Sequence, residues 1–245
     1  MLRVLARMLP GPAGPHHPSG RLTVRPAGAT VAAVAAFERF ERPSVRGFLH
    51  RPKAASRQGL VLTHGAGSDC RSVLLLAVAG AFCAAGLWVL RCDLPFRQRR
   101  ASGPPAPAAA AADRAGLHQA VAELRRFAPD RVLLGGHSYG GRQGSMLAAD
   151  EPALAEGLLL LSYPLHPPEK PDQQRTAHFP RLRTPALFVQ GTADPFGTIA
   201  ELQAAAALIP APTRIVTVAG ARHDLKAGSF DLTAIVAALR EQAGS

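Results

Sequence analysis

Gly136-His137-Ser138-Tyr139-Gly140 fits the pattern G-x-S-x-G, between the apolar run Arg131 to Leu134 and an amphipathic stretch ending near Ala149. A chain that turns straight from strand into helix leaves room beside the turn only for residues with almost no side chain. It thrusts the central serine above the edge of the sheet. The Ser138 hydroxyl then lies at the positive end of the helix, which favours a developing negative charge. The plainer alternative is a glycine-rich connection in which Ser138 merely caps the helix.

A serine hydroxyl is a weak nucleophile, so it needs a base, and the base needs an acid to orient it. On a strand–helix turn of this kind the acid and then a histidine follow the serine in chain order. Asp194 lies in Gln190-Gly191-Thr192-Ala193-Asp194-Pro195-Phe196-Gly197, after an apolar strand at Ala186 to Val189. His223 lies in Ala219-Gly220-Ala221-Arg222-His223-Asp224, after the last strand at Arg214 to Val218. Both fall just past the carboxyl ends of strands, where the loops of an α/β sheet converge on a ligand. Asp194 is therefore expected as the acid and His223 as the base. Asp224 is a weaker rival, because its adjacency to His223 points the two side chains apart, and Asp93 is another. Acyl transfer also needs donors for the tetrahedral oxyanion. The Tyr139 N–H is one, and the Ala66 N–H of His64-Gly65-Ala66-Gly67 is the expected second. A phosphate loop is disfavoured there, since no Lys-Ser/Thr follows Gly65 to Cys70.

The elements that must hold these residues follow from hydrophobic patterning. Val45 to Leu49, Gly59 to Thr63, Leu87 to Leu90, Arg131 to Leu134, Gly157 to Leu161, Ala186 to Val189 and Arg214 to Val218 read as strands. Helices are expected over Arg71 to Ala85, from an N-cap at Asp113 to near Ala128, to about Ala149, over Ile199 to Leu208 and over Leu232 to Leu239. Short apolar strands separated by helices imply an α/β fold, a mostly parallel sheet covered on both faces. The Pro-rich stretch Tyr163 to Thr184 is too short for a large helical lid domain. Residues 1–30 hold Arg3, Arg7, Arg21 and Arg25, no acid, and several prolines. They are expected to be a flexible Arg/Pro-rich extension, poor in Ser for a targeting peptide, ahead of a single domain over residues 31–245.

Composition sets the outer limits. A chain of 245 residues that is 47% apolar is long enough for one sizeable core and too apolar for general disorder. Cys70, Cys83 and Cys92 show no zinc spacing and suit a reducing compartment, so a cytoplasmic location is expected. The longest apolar stretch, Val73 to Leu90, is interrupted by Gly80 and Gly86 and reads as helix plus strand, so no membrane partner is expected. Of 28 cationic residues only Lys53, Lys170 and Lys226 are lysine, and the net charge is +11. The arginines are scattered and aromatics make up 5%, which is not the clustered pattern of a nucleic-acid binder.

The quoted motifs, taken together, resemble those of α/β-hydrolases of the dienelactone-hydrolase-like kind. More narrowly, the chain is similar to the family of testis-expressed protein 30 and subunit 3 of the nonspecific-lethal acetyltransferase complex. The matching pieces are Leu62 to Asp69, Asp93 to Arg97, Gly136 to Arg142, Tyr163 to Pro168, Arg175 to His178 and Gln190 to Gly197. The resemblance implies an α/β-hydrolase fold with nucleophile Ser138, acid Asp194 and base His223. It carries no substrate, and some eukaryotic members of that family act as complex subunits. Dienelactone hydrolases proper use cysteine where this chain has Ser138, so their substrate does not transfer.

Phe96, Arg97, Arg142, His166, Arg175 and His178 sit in motifs or loops that can face the site and are the expected substrate-binding residues. Guanidinium forks suit a carboxylate or phosphate, so an anionic substrate is expected. The resulting expectation is a serine hydrolase of small esters, thioesters or lactones, with no metal or organic cofactor implied. The alternative is a catalytically silent hydrolase fold that serves as a protein-interaction module.

Overall fold

The structure is a computed structural model and describes residues 22–24, 36–54, 56–128, 130–226 and 230–242. Its strands are β1 (Leu22–Val24), β2 (Phe37–Arg42), β3 (Val45–His50), β4 (Gln58–Thr63), β5 (Trp88–Asp93), β6 (Arg131–His137), β7 (Leu158–Leu161), β8 (Ala186–Gly191) and β9 (Thr213–Val218). Its α-helices are α1 (Val73–Ala84), α2 (Pro95–Arg99), α3 (Ala110–Arg125), α4 (Tyr139–Asp150), α5 (Ile199–Ala206) and α6 (Leu232–Gln242). The strands form one sheet in the order β1-β9-β8-β7-β6-β4-β5-β3-β2. β3 runs against both its neighbours, and every other pairing is parallel.

Alternation along each central strand assigns its side chains to two separate layers. Val61, Leu134, Leu158, Leu160 and Phe188 pack on Leu117, Val121 and Leu124 of α3 and Leu147 of α4. Leu60, Leu62, Leu133, Leu159 and Val189 face the other way, onto Leu75, Val78 and Phe82 of α1 and Ile235 and Leu239 of α6. All four residues of β7 are leucines and all are buried. Each such side chain contributes about 1.5–3 kcal/mol when fully withdrawn from water, so the doubly covered sheet is the main source of stability. Because β4, β6, β7, β8 and β9 are parallel, the turns that follow them emerge at one edge. That edge carries the site.

The structure departs from the sequence expectations in three places. β2, Phe-Glu-Arg-Phe-Glu-Arg, buries only Phe40. Its charged residues conceal a strand, and the same charges discourage another chain from pairing with this exposed edge. α3 begins at Ala110, so Asp113 is not its N-cap but a buried residue of its first turn. The prolines of the preceding loop hid that start, and a 3-10 turn at Pro107–Ala109 leads into it. The third departure is α2, a helix of five residues opened by Pro95. Of the expected extension, only Leu22–Val24 lies within the described residues, paired with Val216 to Val218. Between Tyr163 and Thr184 the only helical element is a 3-10 turn at Phe179–Arg181, so no large lid covers the edge.

Candidate active site

β6 hands directly over to α4 through Ser138, whose φ of 51° and ψ of −117° lie where non-glycine residues are rare. Such strain costs about 1–3 kcal/mol and persists only where the surroundings impose it. Here the Ser138 N–H donates to Leu161 O at 2.8 Å, and its carbonyl accepts from the Arg142 N–H at 3.0 Å. A Cβ on Gly136 would stand 2.6 Å from the Gly141 nitrogen, and one on Gly140 2.5 Å from His64 O. Only glycine lets strand and helix pass this closely.

The three expected side chains meet. His223 Nε2 lies 2.8 Å from Ser138 Oγ. On its other side, Nδ1 lies 3.0 Å and 2.9 Å from the two Asp194 oxygens. An ionised carboxylate only accepts, so Nδ1 carries the proton and Nε2 is left to accept from the serine hydroxyl. Asp194 is buried, and its oxygens also accept from the Phe196 N–H at 2.9 Å and Gln190 Nε2 at 3.0 Å. The Phe196 ring lies against the His223 imidazole, with centroids 4.1 Å apart. The loops of acid and histidine are joined through backbone bonds from Ala193 N to Ala221 O (2.9 Å) and from Thr192 N to Val218 O (3.0 Å). His137 Nε2 donates to His223 O at 2.7 Å. Burial pushes the pKa of His137 down to about 4, so it stays neutral and holds the His223 backbone.

Two peptides carry the expected oxyanion donors. Tyr139 opens α4, where backbone N–H groups have no intrahelical acceptor. Its hydroxyl donates to Asp113 Oδ2 at 2.8 Å, and Asp113 Oδ1 accepts from the Phe96 N–H at 3.0 Å. Across from it, Gly65 O accepts from the Ser68 N–H at 3.1 Å and faces His64 Nδ1 at 2.9 Å. His64 Nε2 accepts from the Leu94 N–H at 3.1 Å, so the imidazole proton is on Nδ1 and donates to Gly65 O. In a trans peptide the N–H points opposite to its carbonyl, so fixing Gly65 O fixes the direction of the Ala66 N–H.

A cavity of about 440 Å³ opens at this point, lined by the Gly65 to Ser68 turn, Ser138, Tyr139, His223, Phe196 and the guanidinium-bearing Arg142 and Arg175. That volume suits a small molecule. The other four expected substrate residues do not line it. Phe96 is buried against His64 and Tyr139. Arg97 spends its guanidinium on the carbonyls of Ser68 (2.8 Å), Ala66 (2.9 Å), Gly103 (3.0 Å) and Arg100 (3.2 Å). His166 is buried, with Nδ1 2.8 Å from Pro167 O and Nε2 3.5 Å from Glu201 at the start of α5. His178 contacts Ser145 at 2.8 Å, but Ser145 Oγ donates to Arg142 O, so His178 is the donor in that pair and not a base. Of the rival acids, Asp93 accepts from the Cys70 N–H at 2.8 Å and Asp224 is exposed. Gln190 and Phe196 were within reach of sequence reasoning, since both share the turn of Asp194. Asp113, on a distant helix, gave no such signal.

Burial also pushes the pKa of His50 and His178 down to about 4 from an ordinary 6.5. A histidine depressed in the fold binds its proton more readily in the unfolded chain, so stability is full above pH 6.5 and is lost as the pH falls toward 4. Each such proton contributes a slope of about 1.4 kcal/mol per pH unit within that window. His50 accepts from Arg91 Nε at 2.8 Å, and protonation would break that bond and set two cations together. The melting temperature is expected to fall between pH 6.5 and 4.5, less steeply in His50→Gln. Equal slopes in a thermal melt series would contradict this.

A family model described as "Alpha/beta hydrolase domain" matches residues 56–236. Among solved structures, the chain is similar to a dienelactone hydrolase from Anabaena variabilis ATCC 29413, with 23% identity, a TM-score of 0.63, and coverage of 84% of this chain and 96% of that one. It is also similar to Est1E from Butyrivibrio proteoclasticus, with 15% identity, a TM-score of 0.64, and coverage of 84% and 96%. A third is XC6422 from Xanthomonas campestris, described as an α/β serine hydrolase without lid, with 16% identity, a TM-score of 0.60, and coverage of 84% and 92%. Among the described residues, no helix is long and apolar enough to cross a membrane, and no group of three or more His, Cys, Asp or Glu is placed to hold a metal ion.

Proposed function

Since the chain belongs to the alpha/beta hydrolase family, we propose that it is a serine hydrolase of small ester, thioester or lactone substrates. The observation that carries this is the hydrogen-bonded series Ser138–His223–Asp194, with Ser138 lining a cavity of small-molecule size. Ser138 Oγ attacks the carbonyl carbon while His223 Nε2 takes its proton, and buried Asp194 stabilises the imidazolium that forms. The Ala66 and Tyr139 N–H groups hold the oxyanion. Collapse releases the alcohol or thiol, protonated by His223, and leaves the acyl group on Ser138. Water activated by His223 then frees the acid. Est1E has been solved with ferulic acid bound, a small acid of the product class such a reaction yields.

Within the family, the motifs that carry the resemblance support a place beside testis-expressed protein 30 and subunit 3 of the nonspecific-lethal complex. Cys70, Cys83 and Cys92 are free and buried, which supports a reducing, cytoplasmic setting. A fluorophosphonate probe tests the reading: wild type should be labelled and Ser138→Ala should not. Absence of serine-dependent labelling would favour the silent interaction module.

Arg97 takes a positioning role in this scheme, because it holds the Ala66 and Ser68 carbonyls of the oxyanion turn. Arg97→Gln should lower kcat about tenfold with little change in KM, less than the ~100-fold or more from deleting an oxyanion donor outright. A rise in KM at constant kcat would assign Arg97 to substrate binding instead.

A further inference from the structure

Arg142 and Arg175 share the cavity with Ser138, and among the described residues neither has a carboxylate within ion-pair distance. Arg142 lies one helical turn beyond Ser138 on α4, and its Nε is buried without a hydrogen-bond partner. Arg175 comes from the loop after β7. Its N–H donates to Leu165 O at 2.8 Å, and its carbonyl accepts from the Tyr163 hydroxyl at 2.8 Å. Among the described residues its guanidinium makes a single long bond, 3.3 Å to Pro164 O. Burial, and then the charge of Arg142, make protonation of Arg175 harder than usual. Asp113, the buried acid of neighbouring α3, is already engaged by the Tyr139 hydroxyl and the Phe96 N–H.

Two partly desolvated like charges are costly to hold together without a counter-ion. Elsewhere the protein satisfies its buried arginines: Arg97 bonds to four carbonyls, and Arg91 bonds to His50 and Cys70 O. Among the described residues that line the cavity, Arg142 and Arg175 are the arginines left with free guanidinium donors.

We propose that Arg142 and Arg175 form a carboxylate-binding subsite, so that the substrate is a short ester or thioester carrying a second, ionised carboxyl group. This rests on the hydrolase reading for its position but is separable from it. Planar guanidinium groups bind a carboxylate through paired N–H donors, which fixes the distance between that group and the scissile carbonyl.

The test has a binding arm and a turnover arm. For binding, glutarate is titrated by calorimetry into Ser138→Ala and into Ser138→Ala carrying either Arg142→Gln or Arg175→Gln. A loss of affinity of tenfold or more in both double variants is expected, with smaller losses for Arg→Lys, which keeps charge but not the fork. Unchanged glutarate affinity, or none in the parent, would overturn the subsite whether or not the protein turns over. For turnover, mono-4-nitrophenyl glutarate is compared with 4-nitrophenyl pentanoate, and 4-carboxyphenyl butyrate with 4-carbamoylphenyl butyrate. The first pair places the carboxylate on the acyl side, and the second places it on the leaving group. The anionic-to-neutral ratio of kcat/KM should exceed ten in one pair and fall about tenfold in each Arg→Gln variant. Equal turnover within both pairs would remove the subsite while leaving the hydrolase reading intact.

Discussion

Replacing Ser138 by alanine is expected to lower kcat/KM for a short ester by about 10⁴- to 10⁶-fold. The loss should fall on kcat, because the cavity walls and the oxyanion donors survive the change. A residual rate about 10³-fold over water is expected from those donors alone. Among the described residues Ser138 Oγ hydrogen-bonds only to His223, so the deletion removes little that holds the fold together. The melting temperature should stay within a few degrees of wild type, which separates loss of chemistry from loss of structure. Activity within tenfold of wild type would place the nucleophile elsewhere.

Asp194→Asn is the second large effect, expected at about 10⁴-fold in kcat. The carboxylate now compels His223 to carry its proton on Nδ1. An asparagine amide can offer an N–H instead, and the imidazole then protonates Nε2, the atom that must accept from Ser138. Asparagine retains one oxygen, which can keep either the Phe196 N–H or the Gln190 amide bond but not both at full strength. A modest loss of stability should therefore accompany the kinetic loss. Asp224→Asn is the control, since Asp224 is exposed and makes no bond to His223 Nδ1. If Asp224→Asn cost more than Asp194→Asn in steady-state assays, the acid would have to be reassigned.

Much of this arrangement was legible because it depends on order along the chain. Apolar strands separated by amphipathic helices define the sheet, and the turn after each parallel strand must emerge at the same edge. Ser138, Asp194 and His223 are thus brought together by topology before any side-chain detail is known. Direction within a loop is a different matter. Arg97 and Arg142 both lie in motif segments, yet one turns inward to backbone carbonyls and the other toward the cavity. Helical spacing could have distinguished Arg142, four residues from Ser138, but nothing local marks Arg97. The same limit hid Asp113, whose partners Tyr139 and Phe96 belong to other elements. β2 escaped notice because an edge strand needs only one buried side chain, and Phe40 supplies it.

The most direct test is to trap the covalent intermediate. The protein is mixed with a short 4-nitrophenyl ester, quenched in acid within the first turnover, digested and mapped by mass spectrometry. One acyl group should be found on Ser138, at up to one per chain, and none in Ser138→Ala. An acyl group on another residue such as Ser145 or Ser162, or hydrolysis with no acylated peptide at any time, would contradict it.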